Sequence, residues 1–138
     1  MDDTHNEPQV NALIAKACIA QQNGAPTFPV MGTGKPFRQL MWAGDLAKIL
    51  LWCLDNLDQD EPLIACGPEV TIAQVAQAVI QAVGFKGKLE FDVNGVDGPL
   101  KRTADNTVFE EKCPEFPMTS LEEGISKTVQ WYRDSMVA

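Results

Sequence analysis

Helical periodicity dominates this sequence, and the strand candidates between its helices are short and few. The first helix is predicted at residues 9–22, where apolar residues from Val10 to Ala17 recur at helical spacing and Gly24 follows as a stop. An amphipathic helix must bury its apolar face against a sheet or another helix. No full doubly wound sheet can be built from these strands. The sequence therefore predicts a small α/β (α+β) unit, or a unit whose core is completed by something absent from it.

Two further helices have start signals of different kinds. Asp45 is predicted to cap the second helix. Thr71 and Gln74 form a capping box before the third, and Gly84 is predicted to end it. Both helices are expected to turn an apolar stripe inward. The stripe of the second helix comprises Leu46, Ile49, Leu50, Cys53, Leu54 and Leu57.

The last part of the chain predicts a short helical piece and a long helix. The short piece covers Thr107–Lys112 and ends at Cys113. Thr119 and Glu122 form a second capping box, which is predicted to open the final helix. The inward face of that helix is expected to carry Leu121, Ile125, Thr128, Val129 and Tyr132.

Four segments are predicted as strands. They are residues 28–31, 37–42, 63–66 and Lys88–Asp92, of which 63–66 is bracketed by proline and by Gly-Pro. Residues 93–106 are predicted to form a loop that turns at Asp-Gly-Pro. The chain as a whole (1–138) is expected to be a single domain of about four helices with several short strands.

Charge and composition exclude several classes of partner. Eleven basic residues against nineteen acidic ones give a net charge of −8, which disfavours nucleic acid and anionic membranes. No apolar run approaches the roughly 18 residues of a membrane helix. The four cysteines lack a CxxC pair and are expected to be reduced thiols rather than a disulfide framework or a zinc site. We expect a cytoplasmic protein.

Common catalytic motifs are missing. The turn GTGKP at 32–36 lacks the spacing of a phosphate loop, and the sequence contains no GxGxxG. The only tyrosine, Tyr132, has methionine four residues later, so a Tyr-x-x-x-Lys pair is absent. The only histidine is His5, close to the amino terminus. No catalytic residue is assigned.

One ordered series of short motifs is distinctive. Residues 31–40, MGTGKPFRQL, followed by Asp45-Leu46-Ala47, resemble the W-G-[ST]-G-x-P-x-R-[EQ]-F…D-[LM]-A block of GDP-L-fucose synthases, which are extended short-chain dehydrogenases. Further similar elements follow in the family's order: TI at 71–72, GFKGK at 84–88, FD at 91–92 and DGPLKR at 97–102. The resemblance covers nearly the whole chain.

The resemblance implies that cofactor binding and substrate binding belong to two different domains. The family converts GDP-4-keto-6-deoxy-D-mannose to GDP-L-fucose by epimerising two carbons and reducing a ketone with NADPH. Its amino-terminal Rossmann domain holds NADPH and the catalytic residues, and its carboxy-terminal domain holds the GDP-sugar. Only the second domain is represented here. The chain alone is therefore expected to hold no cofactor and to be inactive, and its expected partners are a GDP-sugar and a Rossmann domain or a second copy.

The same resemblance assigns candidate substrate-binding residues. Arg38 matches the arginine that contacts the GDP diphosphate, Arg102 a basic residue of that site, and Lys16 a basic position on the first helix. Asp97 and Lys88 are further candidates. Planar guanidinium groups suit a diphosphate because they can bind its oxygens in a bidentate way.

Two positions depart from the family pattern. Met31 stands where the family has a substrate-contacting tryptophan, and Pro8 stands where it has a histidine that acts as an acid. His5 lies three residues before Pro8, so a shifted alignment could restore that acid. Met31 remains a candidate for lining the site.

Two other hypotheses stay open. The chain could be a non-catalytic interaction module whose apolar helix faces pair with a second copy or a partner. It could also be the substrate half of another nucleotide-sugar epimerase or dehydratase. For single residues the alternative is ordinary: Lys16 and the Lys101-Arg102 pair as solvated charges, and the three tryptophans as packing. The tryptophans are Trp42, Trp52 and Trp131.

Overall fold

Five helices and five short strands make up residues 9–137, the part of the chain that the computed structural model describes. In chain order they are α1 (Val10–Gln22), β1 (Thr27–Met31), β2 (Phe37–Gln39), α2 (Ala43–Asn56), β3 (Glu69–Thr71), α3 (Ile72–Val83), β4 (Lys88–Asp92), β5 (Lys101–Arg102), α4 (Thr107–Lys112) and α5 (Leu121–Val137). The predicted fold class, mixed helix and strand with small sheets, is confirmed. No helix within residues 9–137 is long and apolar enough to cross a membrane.

The strands form two small sheets. β1 and β4 pair in parallel over five residues, from Thr27 opposite Lys88 to Met31 opposite Asp92. The second sheet has the order β3-β2-β5, in which β2 is antiparallel to β3 and parallel to β5. Neither is a doubly wound sheet, as the sequence predicted.

The core lies around α3. This helix packs against α1 on one side and α5 on another, and the buried side chains of β1 close the cluster. α3 alone buries six apolar side chains, including Val75, Ala76 and Val79. Burial of this kind stabilises the fold by about 1.5–3 kcal/mol for each fully buried aliphatic side chain of valine size or larger.

The local signals at the two ends of α3 are confirmed. The Thr71 hydroxyl accepts a hydrogen bond from the Gln74 backbone N–H (3.1 Å), and the Gln74 side chain accepts one from the Thr71 N–H (2.8 Å). Gly84 ends the helix with φ +75°, a conformation that costs glycine little. This capping box satisfies two backbone groups that the helix itself leaves unpaired.

The starts of α2 and α5 differ from the prediction, and one interaction explains both. Asp45 does not cap α2, which already begins at Ala43. Its carboxylate is buried and accepts hydrogen bonds from the backbone N–H (2.7 Å) and hydroxyl (2.9 Å) of Thr119. With Thr119 engaged there, Ser120 accepts the hydrogen bond from the Glu123 N–H at the start of α5. The sequence offers both overlapping Ser/Thr-x-x-Glu patterns, and this distant contact selects the second.

The predicted inward stripe of α2 is wrong for three of its six members, and the other three are buried or half-buried. Among the apolar side chains of this helix only Ile49 is buried, and Leu46, Leu50 and Leu54 are 46%, 58% and 81% exposed. The inward face predicted for α5 is confirmed, since its residues are buried or half-buried. Within residues 9–137 the two helices differ in that α5, unlike α2, packs extensively against another helix.

Two strand predictions and one loop prediction also need correction. Residues 63–66 form no strand; β3 lies further on, at Glu69–Thr71, where β2 is available to pair with it. The strand predicted at 37–42 ends at Gln39, because the partners in β3 and β5 extend no further. The loop predicted at 93–106 contains β5, which adds to the other edge of β2.

Candidate functional site

Arg38 and Arg102 lie side by side. They are register partners in the parallel pair β2–β5, and such partners project from the same face of a sheet on strands about 4.8 Å apart. Lys101 precedes Arg102 and therefore points to the opposite face, where its ammonium group forms an ion pair with Glu69 at 2.9 Å. The sheet thus separates two adjacent arginines from the neighbouring lysine.

Backbone carbonyls orient the Arg38 side chain. Its Nη1 donates hydrogen bonds to the carbonyl oxygens of Phe37 (2.7 Å) and Pro99 (3.0 Å). The Pro99 carbonyl belongs to the Asp-Gly-Pro turn, 61 residues away in the chain. A half-buried guanidinium held in this way loses less conformational freedom on binding a ligand than a lysine on a flexible stem.

Asp97 holds the Gly-Thr-Gly turn. One carboxylate oxygen accepts a hydrogen bond from the Thr33 backbone N–H (2.8 Å) and the other accepts one from the Thr33 hydroxyl (2.6 Å). The hydroxyl bond, and then the backbone bond, lower the pKa of Asp97. Gly32 has φ +88°, and a Cβ atom there would lie 2.3 Å from the carboxylate, so the contact requires glycine. Asp97 therefore stabilises the Gly-Thr-Gly turn, which precedes Arg38 in the chain.

Two cavities flank Arg38. A cavity of about 290 Å³ is enclosed by the start of α1, the end of β1, β2 and the start of α3. Met31, Arg38 and Asp97, three of the predicted site residues, share its lining. A groove of about 430 Å³ on the other side is lined by both Arg38 and Arg102. These volumes are in or near the range of small-molecule sites.

Lys16 and Lys88 lie away from these cavities. Lys16 is an exposed residue of α1, and Lys88 pairs with Thr27, at the far end of the β1–β4 pair from Met31. Four residues of strand separate the two ends by about 13 Å. Neither lysine lines either of these two cavities, and their roles in binding stay predictions.

Gln39 is a site residue that sequence reasoning missed. Its amide donates to the Ala104 carbonyl (3.1 Å) and accepts from the Ala104 N–H (2.7 Å), which ties the chain after β5 to β2. Gln39 also lines both cavities beside Arg38. The signal that could have found it is its place in the same motif block, directly after Arg38.

The remaining predictions concern the acid residue, a metal site and the cysteines. His5 and Pro8 lie outside the described residues. Within residues 9–137, no group of histidine, cysteine and acidic side chains could hold a metal ion. Cys18, Cys53 and Cys66 are free thiols, and so is Cys113.

Comparisons with known proteins agree with the resemblance in the sequence. No protein-family model matches the chain. The GDP-L-fucose synthase of Dictyostelium discoideum is 37% identical over 129 residues, which cover 91% of this chain and 40% of that protein. A probable GDP-L-fucose synthase of Drosophila melanogaster is 41% identical over 108 residues, 76% of this chain and 34% of its own length.

A solved structure is similar over nearly the whole chain. The GDP-L-fucose synthetase of Naegleria fowleri bound to NADP superposes with a TM-score of 0.88 at 36% identity, covering 99% of this chain and 43% of that one. The described fold is thus part of a short-chain dehydrogenase fold. The chain belongs to the GDP-L-fucose synthase family. It spans about two fifths of the length of these relatives.

Proposed function

We propose that this chain is the substrate-binding part of a GDP-L-fucose synthase and that it binds a GDP-sugar through Arg38 and Arg102. One observation carries the proposal: Arg38, matched by motif to the arginine that contacts the diphosphate in the family, and Arg102, matched to a basic residue of the same site, are adjacent on one face of one small sheet. The names of the relatives supply the ligand class.

Electrostatics favour a compact anion at this position. A sugar-linked diphosphate carries about two negative charges, and charge-assisted hydrogen bonds to guanidinium groups are the strong kind. The chain as a whole carries −8, so a local pair of arginines is the feature that allows a phosphorylated ligand to approach. We propose that the sugar extends into the cavity beside Met31.

The residues present do not fit NADPH. The sequence has no GxGxxG, and the Thr33 N–H in the GTG turn already donates to the Asp97 carboxylate. A carboxylate at that position would also repel a pyrophosphate. Tyr132, the only tyrosine, is half-buried against the core on α5. We therefore propose that hydride transfer requires a cofactor-binding part beyond this chain. A separate proposal concerns localisation: we propose that the protein is cytoplasmic, where its four cysteines would stay free thiols.

Calorimetric titration with GDP tests the proposal. Each arginine contributes charged hydrogen bonds worth about 1.5–3 kcal/mol, so Arg38→Ala and Arg102→Ala should each weaken GDP binding by about tenfold to a hundredfold. Lys101→Ala is the matched control, since it removes the same charge from the opposite face, and it should leave the affinity within about twofold. Absence of heat at millimolar GDP, or an unchanged affinity in Arg38→Ala, would refute GDP binding.

The alternative of another nucleotide-sugar enzyme is tested with the same protein. Equal or tighter binding of UDP or dTDP than of GDP would favour it. The alternative of an interaction module draws on a separate feature, the exposed face of α2.

A further inference from the structure

An asparagine–glycine pair lies in the loop that leads from β4 to the wall of the cavity beside Arg38. Asn94 is exposed, and its N–H donates to the Asp92 carboxylate at 3.1 Å. The Gly95 N–H donates to the Asp92 carbonyl at 3.0 Å. Both bonds go to one residue of an exposed turn, so a small local movement is enough to release the pair.

Packing requires glycine at position 95. A Cβ atom there would lie 2.5 Å from the Met31 Cγ atom, which is too close for any side chain. Without a side chain, the backbone nitrogen of Gly95 is open to approach from the carbonyl carbon of the Asn94 side chain. An exposed asparagine and an unhindered nitrogen after it are the two conditions under which asparagine is chemically unstable.

We propose that Asn94 is a modification site, at which the chain deamidates spontaneously and so alters the cavity beside Arg38. The Gly95 nitrogen attacks Cγ of Asn94, and the new C–N bond closes a succinimide ring. The bond from Cγ to Nδ2 breaks, and Nδ2 leaves as ammonia with the proton of the Gly95 nitrogen. Water then opens either ring carbonyl, which leaves aspartate or isoaspartate. One water is consumed and one ammonia released, and nothing is oxidised or reduced.

A second Asn-Gly pair in the chain serves as an internal control. Asn23 and Gly24 follow α1, and the three N–H groups from Asn23 to Ala25 all donate to carbonyls of that helix. Gly24 is also in the left-handed region, with φ +63°. This backbone is tied to a helix, whereas the backbone at Asn94 is tied to one aspartate. The same dipeptide should therefore react more slowly at Asn23.

The products would act on the cavity through the loop at 92–97. Both ends of this loop are fixed, since the Asp92 carbonyl accepts from the Gly32 N–H at 2.9 Å and the Asp97 carboxylate holds Thr33. Isoaspartate lengthens the backbone between these ends by one carbon atom, which must shift Asp97 in the cavity wall. Either product also adds a negative charge near a site proposed for a diphosphate. The effect on GDP rests on the proposed function, whereas the modification does not.

Peptide mapping by mass spectrometry tests the modification. The natural chain is kept in mildly alkaline buffer, digested at intervals and compared with the same chain unfolded in guanidinium chloride. We expect Asn94 to convert in the folded chain within about tenfold of its unfolded rate, and faster than Asn23 in the same sample. An isoaspartate-specific methyltransferase should label the peptide that contains position 94. Protection of Asn94 by more than about tenfold, or conversion no faster than at Asn23, would overturn the inference.

Asn94→Gln is the matched variant for the effect on the cavity, because it keeps a side-chain amide but closes the larger ring slowly. After equal incubation the natural chain should bind GDP about threefold or more weakly than when fresh, and Asn94→Gln should be unchanged. Amide exchange at the Thr33 N–H, which donates to Asp97, should become faster only in the natural chain.

Each readout can fail by itself. Unchanged Thr33 exchange in the converted chain would refute the shift of Asp97, and unchanged affinity would refute the effect on binding. A fresh chain that binds no GDP would refute the proposed function alone, because the conversion of Asn94 and the exchange of Thr33 are measured without GDP.

Discussion

α2 and α3 have similar length and similar apolar patterns but different surroundings. α3 buries six apolar residues between α1 and α5, whereas α2 buries one apolar side chain and one carboxylate. The periodicity of a helix shows that one face is apolar, and it does not show whether the partner for that face lies in the same chain. Within residues 9–137 the helix with extensive contacts builds the core, and the helix without them leaves its four leucines exposed.

Substitutions at the centres of the two helices should differ most in their effect on the free energy of unfolding. Val79→Asp in α3 places an unpaired charge in the buried core and should cost about 4 kcal/mol or more, a large part of the stability of a typical domain. Chemical denaturation followed by circular dichroism measures this cost. A loss below about 1 kcal/mol would show that the α1–α3–α5 contact is not the stabilising core.

Asp45 provides the next test, because it anchors α2, a helix with a single buried apolar side chain. Asp45→Ala removes two hydrogen bonds to a buried carboxylate and leaves the Thr119 N–H without its acceptor, at a cost of about 1.5–3 kcal/mol. Amide exchange should then accelerate in α2 more than in α3. Asp45→Asn, which keeps one acceptor oxygen, should lose less. Uniform acceleration in both helices would mean that Asp45 supports the whole fold rather than α2.

The same contrast explains what the sequence could and could not predict. Three signals carried by neighbouring residues are confirmed: the Thr71–Gln74 box, the Gly84 stop and the extent of α4 all depend on contacts within one turn. Lys88–Asp92 was predicted correctly because its partner β1 lies in the chain.

Predictions that depended on distant partners were less secure. Residues 63–66 have a strand pattern but no neighbour among the described strands, and Asp45 was assigned to a local cap although its partner is 74 residues away. At the site, the motif placed Arg38 and Arg102, but their pairing depends on β5, which was predicted as loop. The role of Asp97 in holding Thr33 could not be inferred without the turn geometry.

A smaller effect on stability, which depends on pH, is expected when Asp97 is substituted. This carboxylate is exposed, unlike that of Asp45. Its pKa is lowered in the folded state by the Thr33 hydroxyl and N–H, so its stabilisation is present above the unfolded value of about 3.9 and is lost as the pH falls through the folded pKa. Thermal melts should show Asp97→Asn below the natural chain at pH 7, with the gap closing toward pH 2. A gap that stayed constant down to pH 2 would exclude an ionic clamp.

The smallest effect is expected at the exposed end of α2. Leu54 is the most exposed leucine of α2, so Leu54→Asp in the isolated chain should change the free energy of unfolding by about 0.5 kcal/mol or less, mostly through helix propensity. Denaturation measures it beside Leu54→Ala, which removes the apolar surface without adding a charge. A loss above about 2 kcal/mol in the isolated chain would mean that Leu54 is already covered there. The contrast between the two helices would then disappear, because α2 would have its partner within its own chain.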